Sequence, residues 1–518
     1  MKKLLPIGKQ DFQKLIQGDY LYVDKTRYLL DLIKQGEVFF LSRPRRFGKS
    51  LTLSTFKAIF EGKKELFNGT WIYDNYDFKP YPVIHISMSE MLSLNENALI
   101  NAIDDRIRRL AENFGVNIIS KTFSNAFSEL VERISKNGRV VLLIDEYDKP
   151  ILDSLADIEK AAKMREILRS FYVTIKDLDP YLRFVFMTGI SKFTKVGVFS
   201  ALNNLRDISM NSSFAPMLGY TQNELEYYFA DYIEETADVM HLTKEDLLAQ
   251  IKEYYNGFSF DGRHFVYNPF SILNFFADKE FRNYWFESAT PSFIADYAKH
   301  RHLKMNDYRR IEVSTDFASM AEIERTRPES FLYQAGYLSI AERTEDTFFL
   351  DYPNKEVLSS MSKLFMDMVY ETGNEWVPYR RKLSEALESG DVESLMAAFD
   401  RVLAAIPYNL FEKTEKYYHS VFLVLLWASG AGARGEDPSR LGRADIVIEW
   451  NDRVYILELK LAEDAEDENS RSIAAAEKAL KQIEERDYHG QYMDGRNITL
   501  IGIGIDAGKR KIGGYVAK

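Results

Sequence analysis

The sequence contains no cysteine in 518 residues, which excludes disulfides and thiolate metal sites and leaves oxygen and imidazole as metal ligands. The same absence fits a reducing compartment. Long apolar stretches are also missing. The longest run, VFLVLLWA from Val421, is far short of the roughly 20 residues that cross a bilayer. The opening MKKLLPIGKQDF carries two lysines, but Pro6, Gly8 and Lys9 interrupt any apolar signal core, so the expectation is a cytoplasmic protein without a membrane partner. Positive charge is not in excess. With 67 Lys and Arg against 78 Asp and Glu, the net charge of −11 repels polyanions overall, and nucleic-acid binding would need locally basic surface. Three runs offer one: RPRR at 43–46, RIRR at 106–109 and KHRHLK at 299–304. Low-complexity tracts and repeats of fixed period are absent as well.

What is present is a composition that can bury sizeable cores, 46% hydrophobic and 28% charged. The length suggests about three domains. The patterns place them at 1–215, 216–395 and 396–518.

The stretch FFLSRPRRFGKSLTL, 39–53, reads as a phosphate-binding loop whose first glycine is replaced by Arg43. A short apolar run, Glu37 to Leu41, precedes it. Leu53, Phe56, Ile59 and Phe60 follow at helical spacing, so the order is strand, loop, helix. In that context main-chain N–H groups converge on phosphate oxygens. Gly48 lets the backbone approach, Lys49 reaches the β/γ-phosphates and the Ser50 hydroxyl meets Mg²⁺. Arg46, Phe47 and Leu51 complete the expected nucleotide-contacting run, and Arg45 and Arg46 add positive charge where the loop lacks its glycine.

A second motif supports the first. RVVLLIDEYDKP, 139–150, is an apolar strand ending in Asp145 and Glu146, the form in which one carboxylate faces Mg²⁺ and the next faces the attacking water. Two acids at the end of a buried strand are costly without such a partner. A third strand, LRFVFMTGIS from Leu182, ends in Thr188 and Ser191, which can polarise water or sense the γ-phosphate. A fourth, PVIHIS from Pro82, completes a parallel-sheet inventory, with His85 read as a satisfied core histidine.

From Tyr220 the signals turn helical, with Thr221/Glu224 and Thr243/Asp246 spaced as capping boxes. FSFDGRHFVY from Phe258 reads as a hairpin about Asp261-Gly262, and YLSIAERTEDTFFLDYP from Tyr337 as a second, which neighbouring helices could turn into a winged-helix-like unit. The dense aromatics Tyr254, Tyr255, Phe258 and Phe260 read as core.

In GRADIVIEWNDRVYILELK, 442–460, a two-residue turn at Asn451-Asp452 sets Trp450 against Arg453, Val447 against Ile456 and Asp445 against Glu458. Side chains alternate, so Lys460 shares the face of Glu458. Two carboxylates and a lysine thus meet at the open end of one hairpin. Asp445 and Glu458 would hold Mg²⁺ with the Leu459 carbonyl, and Lys460 would orient or activate water against a phosphodiester. A solvated hairpin with a salt bridge is the competing reading. Glu415 and His419, one turn apart on a helix from Thr414, and Gln482 on the helix AAAEKALKQIEERDY are supporting candidates, and the strand ITLIGIGI closes a mixed sheet.

Taken together, YVDKT at 22–26, SRPRRFGKSL, LLIDEYDKP, MTGISKF, YYNGF, VYNPFS, YQAGYL, YPNKEV and the 442–460 stretch resemble the bacterial AAA-ATPase-like proteins that end in a PD-(D/E)XK nuclease-superfamily domain. The resemblance runs over nearly the whole chain, and the family loop also reads RPRRFGKS. It implies an α/β fold class: an AAA-like P-loop domain with a parallel sheet, a helical or winged-helix-like middle and a restriction-endonuclease-like α/β domain. It further implies ATP at Lys49, Ser50, Asp145 and Glu146, and a nuclease-type site at Asp445, Glu458 and Lys460. Ala444 stands where the motif name has proline. EDAEDE at 463–468 follows the lysine with acids that repel a phosphate backbone. The expected activity is ATP hydrolysis with Mg²⁺-dependent cleavage of nucleic acid, DNA first, in a chain that can self-associate through its ATPase domain. The alternative is a nucleotide switch whose C-terminal domain binds nucleic acid or a partner without cutting.

Overall fold

A computed structural model describes residues 2–36, 38–91, 93–155, 157–192, 204–287, 305, 309–315, 317, 327–372, 376–439, 442–462, 468–492 and 495–518. The basic run 299–304 and most of the acidic run 463–468 lie outside the described residues. The chain forms two compact units, Met1–Ala289 with Arg310–Asn354, and Thr290–Arg309 with Lys355–Lys518, so the stretch 216–395 contributes to both.

The first unit is organised by a wholly parallel sheet of five strands, in the order β2-β3-β4-β1-β5. They are β1 (Val38–Ser42), β2 (Val83–Ser87), β3 (Val140–Asp145), β4 (Leu182–Gly189) and β5 (Arg206–Asp207). Strands β1 and β3 are buried at every position, as continuous apolar runs must be when helices cover both faces of a sheet. Strand β4 lies between them. The strand that feeds the loop and the strand that carries the acids therefore meet only through β4. Strand β5, a two-residue edge on β1, is too short to leave a period in the sequence.

The helical stretch after Tyr220 begins where expected, with a reciprocal capping box between Thr221 and Glu224. Its helices bury Leu225, Phe229, Ile233, Ile251, Phe275 and Phe276 in one cluster, together with Leu21 and Val23 from the chain's start. Both expected hairpins form. Strands β6 (Phe258–Ser259) and β7 (Phe265–Val266) make the first. For the second, β8 (Ile311–Ser314) joins β9 (Ser339–Arg343) and β10 (Thr347–Asp351) in an antiparallel sheet ordered β8-β10-β9. Tyr255, Phe258 and Phe260 are core, as their density suggested.

The second unit holds a mixed sheet in sequential order: β11 (Gly432–Ser439), β12 (Gly442–Trp450), β13 (Arg453–Leu461), β14 (Asn497–Asp506) and β15 (Lys511–Ala517). Only β13 and β14 pair in parallel, and the helix Glu468–Glu485 makes the crossover between them. That helix lies directly on β14 because Gly502 and Gly504 carry no side chain. A Cβ at Gly502 would sit 2.1 Å from the Ala476 carbonyl oxygen, and one at Gly504 would sit 1.9 Å from that of Ser472. No helix among the described residues is long and apolar enough to cross a membrane. Gly504→Ala should push the helix off the sheet and lower the stability of this unit by about 2 kcal/mol or more, the scale of overpacking against backbone, seen as a reduced urea midpoint.

Candidate functional sites

At the end of β1 the chain passes through the loop to Gly48, which caps the helix Lys49–Phe60 in a left-handed conformation, φ 89°. A Cβ there would meet nothing within 4 Å, so the need for glycine comes from the backbone angle and not from crowding. Gly48, Lys49, Ser50 and Leu51 line a cavity of about 410 Å³, in the size range of small-molecule sites.

Each expected phosphate-site residue has a defined partner. Lys49 is buried and its Nζ donates to the carbonyls of Arg43 and Pro44, both at 2.8 Å. Burial pushes its pKa down to about 8, against the pull of Asp145, Glu146 and Asp148. Ser50 Oγ donates to Asp145 Oδ2 at 2.5 Å, and Thr188 Oγ1 donates to Asp145 Oδ1 at 2.6 Å. The carboxylate is thus held on both oxygens, by the helix after the loop and by β4. Glu146 follows in a left-handed conformation, φ 51°, that non-glycine residues rarely adopt, and it lines the cavity. Burial, and then Asp145, raises its pKa.

Ser191 is occupied elsewhere. Its N–H and Oγ both donate to the buried Asp148 carboxylate, at 2.6 and 2.5 Å, and the Ile190 N–H adds a third bond at 3.0 Å. His85 is not the satisfied core histidine expected from the sequence. Its Nε2 is buried without a hydrogen-bond partner among the described residues, and burial lowers its pKa.

Of the loop arginines, Arg45 and Arg46 line the cavity, and the Arg46 guanidinium lies 4.9 Å from the centre of the Phe270 ring. Arg43 and the side chain of Phe47 are turned away and buried, so Phe47 can offer a phosphate only its main chain. The far wall comes from residues outside the loop and the acidic strand: Pro6 and Lys9 near the start of the chain, and Tyr220, Phe270 and Leu273 from the helical stretch. For the last group a signal existed. Asn268-Pro269 is a helix start, and the Asn268 side chain accepts the N–H groups of Phe270 and Ser271. The N-terminal segment offers no comparable pattern.

In the second unit, β12 and β13 pair in the expected register from Trp450↔Arg453 to Ile446↔Leu457, around a turn in which Asn451 takes φ 52°. Beyond that point side chains take over from the ladder. The Asp445 N–H donates to Glu458 Oε2 at 3.3 Å, and Asp445 Oδ2 accepts the Leu459 N–H at 2.8 Å. Lys460 Nζ lies 3.4 Å from Glu458 Oε1 and 3.7 Å from Glu415 Oε2. Asp445, Glu458 and Lys460 are therefore gathered at one place, and all three supporting candidates surround them. Glu415 Oε1 accepts the Leu461 N–H, His419 Nε2 meets the Asp445 carbonyl at 2.6 Å, and Gln482 Nε2 donates to Glu458 Oε1.

The electrostatics of this cluster are set by burial, with Lys460 as the nearby positive charge. Glu458 is 1% exposed, and its pKa is pushed up to about 7 by burial first and by Asp445 second; burial also raises that of Asp445. Two carboxylates side by side suit Mg²⁺, which keeps much of its water and needs only one or two acids from a protein. Among the described residues, no group of three or more His, Asp or Glu side chains is placed to hold a metal ion.

Comparison with known proteins agrees with both domains. Residues 6–199 match the family model of the predicted AAA-ATPases (AAA-ATPase-like), and residues 413–514 match a PD-(D/E)XK nuclease-superfamily model. An uncharacterized protein encoded in the vnfD 5' region of Azotobacter chroococcum mcd 1 is 34% identical over 546 aligned residues, covering 100% of this chain and 99% of the relative.

The bonds at Asp148 predict a scaffold role. Asp148→Ala strands two main-chain N–H groups and a hydroxyl, each costing about 1–3 kcal/mol when buried, and should lower the thermal midpoint by several degrees. An unchanged midpoint with lost ATP turnover would instead place Asp148 in the chemistry.

Proposed function

The chain belongs to the AAA-ATPase-like proteins that end in a PD-(D/E)XK nuclease-superfamily domain, and on that premise we propose that its first unit binds and hydrolyses ATP while its second cleaves nucleic-acid phosphodiesters, DNA first, under control of the nucleotide. The observation that carries the nuclease half is the convergence of Asp445, Glu458 and Lys460 where the β12–β13 ladder opens.

In the first unit Lys49 turns from the loop carbonyls to the β/γ-phosphates, with its ammonium already desolvated for that contact. Ser50 and Asp145 would hold Mg²⁺, and Thr188 keeps the Asp145 carboxylate oriented. Glu146, at the cavity wall, positions the attacking water and takes its proton. Tyr220, Phe270 and Leu273 give the base an apolar wall. In the second unit Asp445 and Glu458 would hold Mg²⁺, and Lys460 orients the water that attacks phosphorus. Gln482 and His419 fix the carboxylate and main chain they touch. When bound, Mg²⁺ supplies neutralisation of phosphate charge at both sites. Control by ATP requires that nucleotide favour one of two conformations, each with its own nuclease rate. Self-association through the ATPase unit and a cytoplasmic location complete the proposal.

The acidic run 463–468 that follows Lys460 in the sequence, together with the net charge of −11, favours the second reading, a switch that binds without cutting. Three variants test the parts. Glu146→Gln should retain MgATP in calorimetry yet slow phosphate release by a factor of about 100 or more, whereas Lys49→Ala should lose binding while remaining folded. Lys460→Ala should abolish nuclease activity on plasmid and single-stranded substrates in Mg²⁺ and leave ATP hydrolysis at the wild-type rate. Wild-type cutting in that variant would remove Lys460 from the mechanism.

A further inference from the structure

The residue that breaks the glycine pattern of the loop is itself an anchor. Arg43 is 1% exposed and points away from the cavity. Its Nη1 donates to the carbonyls of Ser42 at 2.9 Å and Ser209 at 2.7 Å, and the guanidinium lies 3.9 Å from the centre of the Phe260 ring. A desolvated cation held by carbonyls and a ring face is an expensive fixture in a loop that usually needs only glycine there. Phe47 turns the same way, edge-on to Phe258 at 5.0 Å and to Phe260 at 5.6 Å. Between these two, Trp285 Nε1 donates to the main-chain carbonyl of Arg45 at 3.0 Å. Gly336, at φ 92°, passes so close to Pro44 that a Cβ on it would lie 2.7 Å from the proline Cβ. The loop is therefore gripped from behind at 43, 44, 45 and 47, by contacts that lie outside the cavity in front.

Lys49 ties the same segment from the front, because the carbonyls that receive its Nζ belong to Arg43 and Pro44. Resting on the reading of this cavity as an ATP site, we propose that the rear contacts form a clamp that positions the phosphate-binding loop and registers whether nucleotide is bound. When Lys49 leaves the two carbonyls for phosphate, the main chain at 43–45 loses its inner tie, and the acceptor of the Trp285 N–H moves with it. Arg43 and Trp285 are positioning residues of the ATP site, and position 43 carries a long side chain because anchoring the loop from behind requires one.

The sequence has five tryptophans, so full-length protein labelled with 5-fluorotryptophan gives five ¹⁹F resonances, and Trp285→Phe assigns that of Trp285 by its disappearance. Trp285 does not line the cavity, so a shift of its resonance would report movement of the loop and not contact with the ligand. Titration with MgATP, followed in parallel by calorimetry, should shift the Trp285 resonance in step with occupancy. Trp285→Phe, which keeps a ring but loses the N–H donor, should weaken MgATP binding about three- to tenfold, the scale of one hydrogen bond. A Trp285 resonance that stays still while calorimetry shows a filled site would overturn the clamp and leave the ATP reading standing. Unchanged affinity in Trp285→Phe would overturn the positioning role, and absence of any binding heat in the wild type would overturn both readings.

Discussion

A carboxylate at the end of a buried strand must have its lone pairs filled, and at Asp145 the filling shapes the first unit. Its oxygens accept from Ser50, at the start of the helix after the loop, and from Thr188, on the strand between β1 and β3. Those two bonds draw three elements of the sheet's C-terminal edge to one point, beside the cavity that Ser50 and Glu146 line. They also leave the next residue little choice. With Asp145 turned inward, Glu146 reaches the cavity through a backbone conformation that only a tightly bonded surrounding can hold. The second unit meets the same constraint at Glu458, whose carboxylate is surrounded by Gln482, Lys460 and the Asp445 N–H. In each unit, the polar partners that make the buried acid tolerable also bring the other candidate residues within reach.

The missing glycine follows from a similar balance. A loop that closes on phosphate needs main-chain freedom at Gly48, where the left-handed angle is used, but position 43 has another task. There a side chain crosses to Ser209 and Phe260, tying the loop to strands and helices far along the chain. The arrangement exchanges local flexibility for a fixed rear wall. It also explains why Arg45 and Arg46 face the cavity while Arg43 and Phe47 do not, although the four lie within five residues.

Much of this was legible in the sequence wherever a period or a covalent neighbour carried the information. Strand β1 is an apolar run that leads into the loop before Gly48-Lys49-Ser50, β3 is one that ends in Asp145 ahead of Glu146, and the meeting of Asp445 with Glu458 follows from a two-residue turn and a period of two. What could not be read depended on tertiary distance. The Arg43 anchor spans 166 residues to Ser209, the Trp285 bond spans 240 residues to Arg45, and the cavity wall joins Pro6 to Leu273. Strand β5 is two residues long and leaves no pattern. Thr188 and Ser191 looked equivalent at the end of β4. The structure separates them, giving one to Asp145 and the other to Asp148, because Thr188 is still on the strand beside β3 whereas Ser191 lies beyond the strand's end.

The central claim is that one chain joins a nucleotide engine to a phosphodiesterase and that the first governs the second. The most direct measurement is the rate of DNA cleavage in Mg²⁺ by the wild type and by Lys49→Ala, each with and without ATP. The account predicts that ATP changes the wild-type rate and leaves the rate of Lys49→Ala unchanged. Equal rates in all four conditions, or no cleavage of any plasmid, linear or single-stranded substrate by the wild type, would contradict it.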